Sequence, residues 1–163
     1  MRNRFSTPDI AVILLCAMAA GCTAGAQTPP PTTSSPVTLT ISFPAEVTIN
    51  HMGSDRGEQI LAETAQLTLT NNSPAAITLQ KANECETHVW TVSDANGNTI
   101  DDRAICPMIF VPVNLPLAGH GTFTGSETVS LASAKYLNGG HYTLHYTFWG
   151  AKADAPFIVH VAQ

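Results

Sequence analysis

The feature that most constrains this chain is a recurring period of two. "VTLTISF" (Val37–Phe43), "AQLTLTNNS" (Ala65–Ser73), "AITLQ" (Ala76–Gln80), "THVWTVS" (Thr87–Ser93) and "NTIDDRAIC" (Asn98–Cys106) are short segments rich in threonine, valine and isoleucine. "FVPVNLPL" (Phe110–Leu117), "TFTGSETVSL" (Thr122–Leu131), "HYTLHYTFW" (His141–Trp149) and "FIVHVA" (Phe157–Ala162) continue the series. Turn residues separate them about every ten positions, the pattern of half-buried strands. No stretch of ten shows helical periodicity. "GEQILAETAQ" (Gly57–Gln66) comes nearest and has room for one helical turn. Many short strands with turn punctuation predict an all-β chain folded as an antiparallel β-sandwich.

The first 36 residues are of another kind. Arg2 and Arg4 precede a short apolar run, Ile10–Met18, and small residues follow. That run is too short to span a bilayer, which takes about 20 residues, and it reads as an export signal. It ends in "MAAGC" (Met18–Cys22). This resembles the lipobox of bacterial lipoproteins, which implies that Cys22 carries lipid and becomes the mature N-terminus. With Thr23 next, the resemblance implies the cell envelope, at the outer membrane where the cell has one. "TAGAQTPPPTTSSP" (Thr23–Pro36) has no charge and no large apolar residue. It cannot bury a core and reads as a tether of roughly 45 Å when stretched. The expected organisation is a signal over 1–21, a tether over 22–36 and a folded domain over 37–163.

Net charge excludes some partners. Removing residues 1–21 takes away two basic residues and one acidic residue, so −5 becomes −6. Nucleic acid needs a basic patch, and an electrostatic hold on anionic lipid needs one too. The expected contacts are the membrane, through N-terminal lipid, and a protein partner.

"NECETHVW" (Asn83–Trp90) raises three readings: a metal site, a catalytic thiol with its base, or a strand carrying half of a disulfide. Cys16 leaves with the signal and Cys22 takes lipid, so Cys85 and Cys106 remain. Two thiols in an exported domain pair in an oxidising compartment. "DANG" (Asp94–Gly97) marks a turn between them, with Gly97 free to take positive φ. A four-residue loop there would pair Ser93 with Asn98 and set Cys85 opposite Cys106 on adjacent antiparallel strands. A zinc site wants three or four ligands at short spacings, and a nucleophilic thiol must stay free beside its base. The disulfide is therefore the reading expected.

"LTLTNNSPAAITL" (Leu67–Leu79), "VWTVSDANGNTI" (Val89–Ile100), "LPLAGHGTF" (Leu115–Phe123) and "LNGGHYTLHY" (Leu137–Tyr146) occur in that order. They are similar to the pattern of the immunoglobulin-like BsuPI family, named for an intracellular proteinase inhibitor, over roughly residues 60–161. The resemblance implies an antiparallel immunoglobulin-like β-sandwich and, as an alternative function, protease inhibition outside the cytoplasm. It supplies no active-site residue.

Chemistry-bearing motifs are sparse. There is no Gly-x-Ser-x-Gly, phosphate loop, dinucleotide fingerprint or His-Glu-x-x-His, so neither a cofactor nor an enzymatic activity is expected. "SLASAK" (Ser130–Lys135) misses Ser-x-x-Lys because Ala132 stands at the serine position. Asp101 and Asp102, adjacent on a strand, face opposite ways. His141 and His145 share a strand face about 13 Å apart, too far to hold one ion unaided. His160 on a neighbouring strand, with His51 and Met52, would allow a periplasmic copper-binding alternative, although exposed strand and loop histidines are the simpler reading. Trp90, Phe148, Trp149 and Tyr142 read as core or sheet-face aromatics, Tyr142 with a corner hydrogen bond.

Two loops are candidate contact surfaces. "NHMGSDRGEQ" (Asn50–Gln59) is polar and charged, as plain connections are. "CPMIFVPVNLP" (Cys106–Pro116) is apolar and pinned at one end by the expected disulfide, which lowers the entropy lost on association. It offers Met108, Ile109 and Phe110 to a protein partner. The same segment reads more simply as an edge strand whose prolines deter aggregation. The function expected is that of a membrane-anchored, non-enzymatic protein-binding domain.

Overall fold

The computed structural model describes residues 35–50, 60–103 and 111–162, all within the compact unit Ser34–Gln163. Cys22, Cys106, Met108, Ile109, Phe110, His51 and Met52 lie outside the described residues. The strands are β1 (Val37–Ser42), β2 (Glu46–Asn50), β3 (Ile60–Asn71), β4 (Ile77–Lys81), β5 (His88–Asp94), β6 (Thr99–Asp102), β7 (Val113–Leu117), β8 (Thr122–Ala132), β9 (Gly140–Phe148) and β10 (Ala151–Ala162). The only helical elements among the described residues are two single 3₁₀ turns, Glu84–Glu86 and Ser133–Lys135. The fold class is all-β.

A three-stranded sheet runs in the order β1-β3-β8 and a five-stranded sheet in the order β2-β10-β9-β5-β6, while β4 and β7 form a separate pair. Each period-two segment sends alternate side chains to opposite faces. Leu67 and Leu69 of β3, Val129 and Leu131 of β8, and Leu144, Tyr146 and Phe148 of β9 are buried, whereas their neighbours in sequence are less so. The buried faces of the two larger sheets contribute to one hydrophobic cluster, with Val92, Trp90 and Phe157 inside it.

The chain changes sheets at Pro44. A proline cannot donate to a ladder; β1 ends before it, and β2, after it, belongs to the other sheet. β2 pairs parallel to β10, Val47 opposite Val159, while every other described pairing is antiparallel. Phe43, at the crossing, packs edge-on against Phe157 at 5.2 Å. The sequence pattern gave no notice of β2, whose apolar content is only Val47 and Ile49.

Two local points are decided by the structure. Ile60–Gln66 is the first half of β3, with Leu61 opposite Leu131 and Ala65 fully buried. Pairing with β8 along eleven positions outweighs any helical tendency there. The register around "DANG" also differs. Asp94 Oδ1 accepts from the N–H groups of Asn96 and Asn98 at 2.9 Å each, Gly97 takes φ +83°, and Ser93 faces Thr99 rather than Asn98. An irregularity between Val92 and Ser93 then sets Val92 opposite Asp101.

Cys85 is not on a strand. Asn83 Oδ1 accepts from Glu86 N at 3.0 Å and its Nδ2 donates to Glu86 Oε1 at 3.1 Å. This cap holds Glu84–Glu86 as a 3₁₀ turn before β5 begins. Cys85 is disulfide-bonded from this turn rather than from the strand expected, and Cys106, the partner expected, lies outside the described residues.

Candidate functional site

β8 is the end strand of its sheet, and among the described residues only β3 pairs with it. Two clefts border it and reach across to the five-stranded sheet. The first, with a volume of about 290 Å³, is walled by Phe123, Phe148 and Trp149 and edged by His88, Glu84 and Glu127. The second, of about 420 Å³, lies further along β8 at Thr128, Ser130 and Ala132, facing Trp90, Asp102 and Arg103.

Local structure places each wall. Trp149 and Gly150 form the two-residue loop between Phe148 and Ala151, at φ +52° and +90°. Positive φ at both loop positions is what a type I′ hairpin requires. Trp149 is an uncommon occupant of that conformation. Its backbone N–H donates to Thr87 O at 2.9 Å, anchoring the loop to the start of β5. Phe148 packs with Phe123 at 5.7 Å and with Trp149 at 6.5 Å.

His88 sits where the two sheets approach. Its Nδ1 is hydrogen-bonded to Tyr146 Oη at 3.0 Å and lies 3.8 Å from Glu127 Oε2. Arg103 Nη1 donates to the His88 carbonyl, and Arg103 N donates to Trp90 O at 3.1 Å. Burial lowers the His88 pKa; Glu127 opposes this, Arg103 adds to it and Glu84 opposes it. Burial likewise raises the pKa of Tyr146 well above its ordinary value, so it stays a neutral hydroxyl.

Below the second cleft, Asp101 is 4% exposed. Its carboxylate accepts from Lys135 Nζ at 2.7 Å, Tyr136 Oη at 3.1 Å, Ala132 N at 3.1 Å and Asp102 N at 3.0 Å. Asp101 is buried and Asp102 exposed, and both line this cleft. Asp101 ties β6 to the end of β8 and to the turn that follows it.

The outer face of the five-stranded sheet carries a second polar group. Ser93 Oγ lies 2.8 Å from His145 Nε2, and His145 Nδ1 lies 2.8 Å from Asp154 Oδ1. A carboxylate only accepts, so a neutral His145 carries its proton on Nδ1, and Ser93 donates to Nε2. This is the connectivity of a hydrolytic triad. Ser93, however, is only 7% exposed, and a nucleophile must reach a carbonyl carbon. The arrangement reads as a clamp across β5, β9 and β10.

Of the histidines named as candidate ligands, His145 engages Ser93 and Asp154, His160 Nε2 lies 3.3 Å from Glu46 Oε2, and His141 stands opposite Ile158 on the strand next to that of His160. Among the described residues no three His, Cys, Asp or Glu side chains are grouped to hold a metal ion. Trp90, Phe148 and Tyr142 are buried as expected, and Tyr142 Oη donates to Gly139 O at 3.0 Å. Glu127, Arg103, Phe123 and the cleft role of Trp149 were not legible in the sequence. They come from separate elements and form no local motif.

No family model matches the sequence, and no curated protein matches it. Solved structures show partial likeness. A β-glucosidase from Listeria innocua in complex with gluconolactone is 12% identical over 76% of this chain and 16% of that one, with a TM-score of 0.41. The alkylpurine DNA glycosylase AlkC of Pseudomonas fluorescens is 11% identical over 77% of this chain and 31% of that one, with a TM-score of 0.46. The β-glucosidase EmGH1 from Erythrobacter marinus is 6% identical over 76% and 16%, with a TM-score of 0.41. The chain thus spans less than a third of each of these proteins. At such scores they carry no argument about its activity.

Proposed function

We propose that this chain is a lipid-anchored envelope protein whose folded part, an immunoglobulin-like β-sandwich, binds a protein partner without catalysing a reaction. The observation that carries the binding reading is the pair of clefts along β8, one of them walled by three aromatic rings and edged by carboxylates. Aromatic walls with a few placed polar groups are the usual make-up of a recognition pocket. The sandwich reading is supported by the shared core of the two larger sheets and by the Tyr142 hydrogen bond to the backbone just before β9. The anchor rests on "MAAGC" and the uncharged tether behind it. A pairing of Cys85 with Cys106 would pin one end of the apolar segment 106–116, whose Val113 and Leu115 line the first cleft.

Replacing Cys22 by Ala tests the anchor: lipid labelling should vanish and the domain should leave the membrane fraction. Cross-linking in intact cells, followed by capture of the tethered protein, tests the binding reading. A specific cross-linked protein should be recovered from cells carrying the wild-type chain. Unchanged fractionation of the Cys22 variant overturns the first part, and repeated failure to cross-link any protein overturns the second.

A further inference from the structure

β8 is unusual for a strand at a sheet edge. It runs eleven residues, Thr122–Ala132, and pairs with β3 without a register break from Thr70–Thr122 to Ile60–Ala132. Every second residue of such a strand turns its N–H and C=O away from β3, its one neighbour among the described residues. Edges are ordinarily blunted by lysine, proline, bulges or short length. β8 has no lysine, no proline and no bulge, and its one charge is Glu127.

Both clefts lie along this edge. The first meets β8 around Ser126 and the second around Ser130. Four residues of extended chain separate those points, about 13 Å. A strand laid on β8 would send side chains i and i+4 to the same face, one toward each cleft. Carboxylates edge the first cleft beside an apolar wall, which suits a cation on a long apolar stem, through ion pairing and ring contact. The second cleft, with Thr128, Ser130, Asp102 and Arg103, suits a polar side chain. A second copy of this chain fits less well, because pairing β8 with itself would bring a second Glu127 to the same trench.

We infer that β8 is a docking edge for an extended segment of a partner protein, which adds as a strand and places an arginine or lysine side chain in the cleft of Phe123, Phe148, Trp149 and Glu127. This rests on the protein-binding reading above and names the partner's chemistry. Backbone hydrogen bonds would supply affinity and the cleft would supply selectivity.

The test uses the full lipidated chain in detergent micelles and, as probe, a capped octapeptide of alternating threonine and valine with one central arginine. Tryptophan fluorescence reads the affinity, and amide hydrogen exchange reads β8. The expected result is at least tenfold slower exchange at alternate β8 amides. Affinity should fall at least tenfold when norleucine replaces the arginine, or when alternate peptide amides are N-methylated. Glu127→Gln should erase the preference for arginine over norleucine while β8 still gains protection. Slow exchange along β8 in the free protein would mean that the chain covers its own edge, and would overturn the inference. So would a saturating peptide that leaves β8 unchanged, or equal affinity for the arginine and norleucine peptides. The broader reading is judged separately. A cross-linked partner that the peptide fails to displace removes β8 as the site and leaves the binding reading intact. Peptide protection of β8 without any cross-linked partner does the reverse.

Discussion

The Tyr136 hydroxyl donates to Asp101 Oδ2 at 3.1 Å from a position that is itself fully buried. Burial, and then the Asp101 charge, push the phenol pKa far above its ordinary value, so at any physiological pH it donates rather than ionises. Removing the acceptor would leave a buried donor without a partner, and Lys135 and Ala132 N would lose the same carboxylate. Breaking one partner of such a buried group costs about 3 kcal/mol or more. Asp101→Ala should lower unfolding stability by about 3 kcal/mol in urea titrations. A loss below about 1 kcal/mol would show that the β6 clamp contributes little.

His88 should make stability depend on pH in a defined direction. Its folded pKa lies below the ordinary histidine value of about 6.5, burial being the largest cause. The unfolded chain therefore takes up this proton first as pH falls. Its contribution is fully present above about pH 6.5 and is lost as pH falls below that, toward the folded pKa. Glu127, Glu84, Arg103 and Tyr146 surround it, so the comparison must be with His88→Gln rather than with theory. Urea midpoints measured between about pH 7.5 and pH 5 should fall more steeply in the wild type than in the variant. Equal slopes would remove His88 as the titrating group.

Cys85 is disulfide-bonded from a capped 3₁₀ turn. We propose Cys106 as its partner. Closing a loop of that length contributes on the order of 3 kcal/mol by the chain-entropy estimate. Mass mapping of exported protein should recover one peptide pair containing Cys85 and Cys106, and Cys106→Ser should destabilise by a few kcal/mol. Two free thiols after export would refute the pairing.

The Ser93–His145–Asp154 group should behave as a clamp and not as a catalyst. A fluorophosphonate probe is expected to leave Ser93 unlabelled. Asp154 is exposed, with 64% of its side-chain surface accessible, and exposed ion pairs contribute about 1 kcal/mol or less. Asp154→Ala should therefore shift stability by no more than about 1 kcal/mol. Covalent labelling of Ser93 that disappears in His145→Ala would reverse this reading and make the chain a hydrolase.

Alternation at period two made the all-β class and most strand positions legible in the sequence. The reason is that alternation at period two is a local property, fixed by which neighbours can share a face. Leu67 and Leu69, or Leu144 and Tyr146, announce their burial without knowledge of what they pack against. Gly97 in the "DANG" turn was legible for the same reason, since positive φ is a one-residue matter. The tertiary structure alone decided the rest. β2 crosses sheets at Pro44 and lies parallel to β10, a pairing between residues more than a hundred positions apart. The slip beyond Ser93 and the capped turn at Cys85 go with side chains, Asp94 and Asn83, that bond the backbone, and the left-handed Trp149 is held by its backbone N–H on the carbonyl of Thr87, far away in the chain. His88, Glu127, Phe123 and Trp149 line one cleft although they come from separate parts of the chain, and no spacing along the chain records such a meeting.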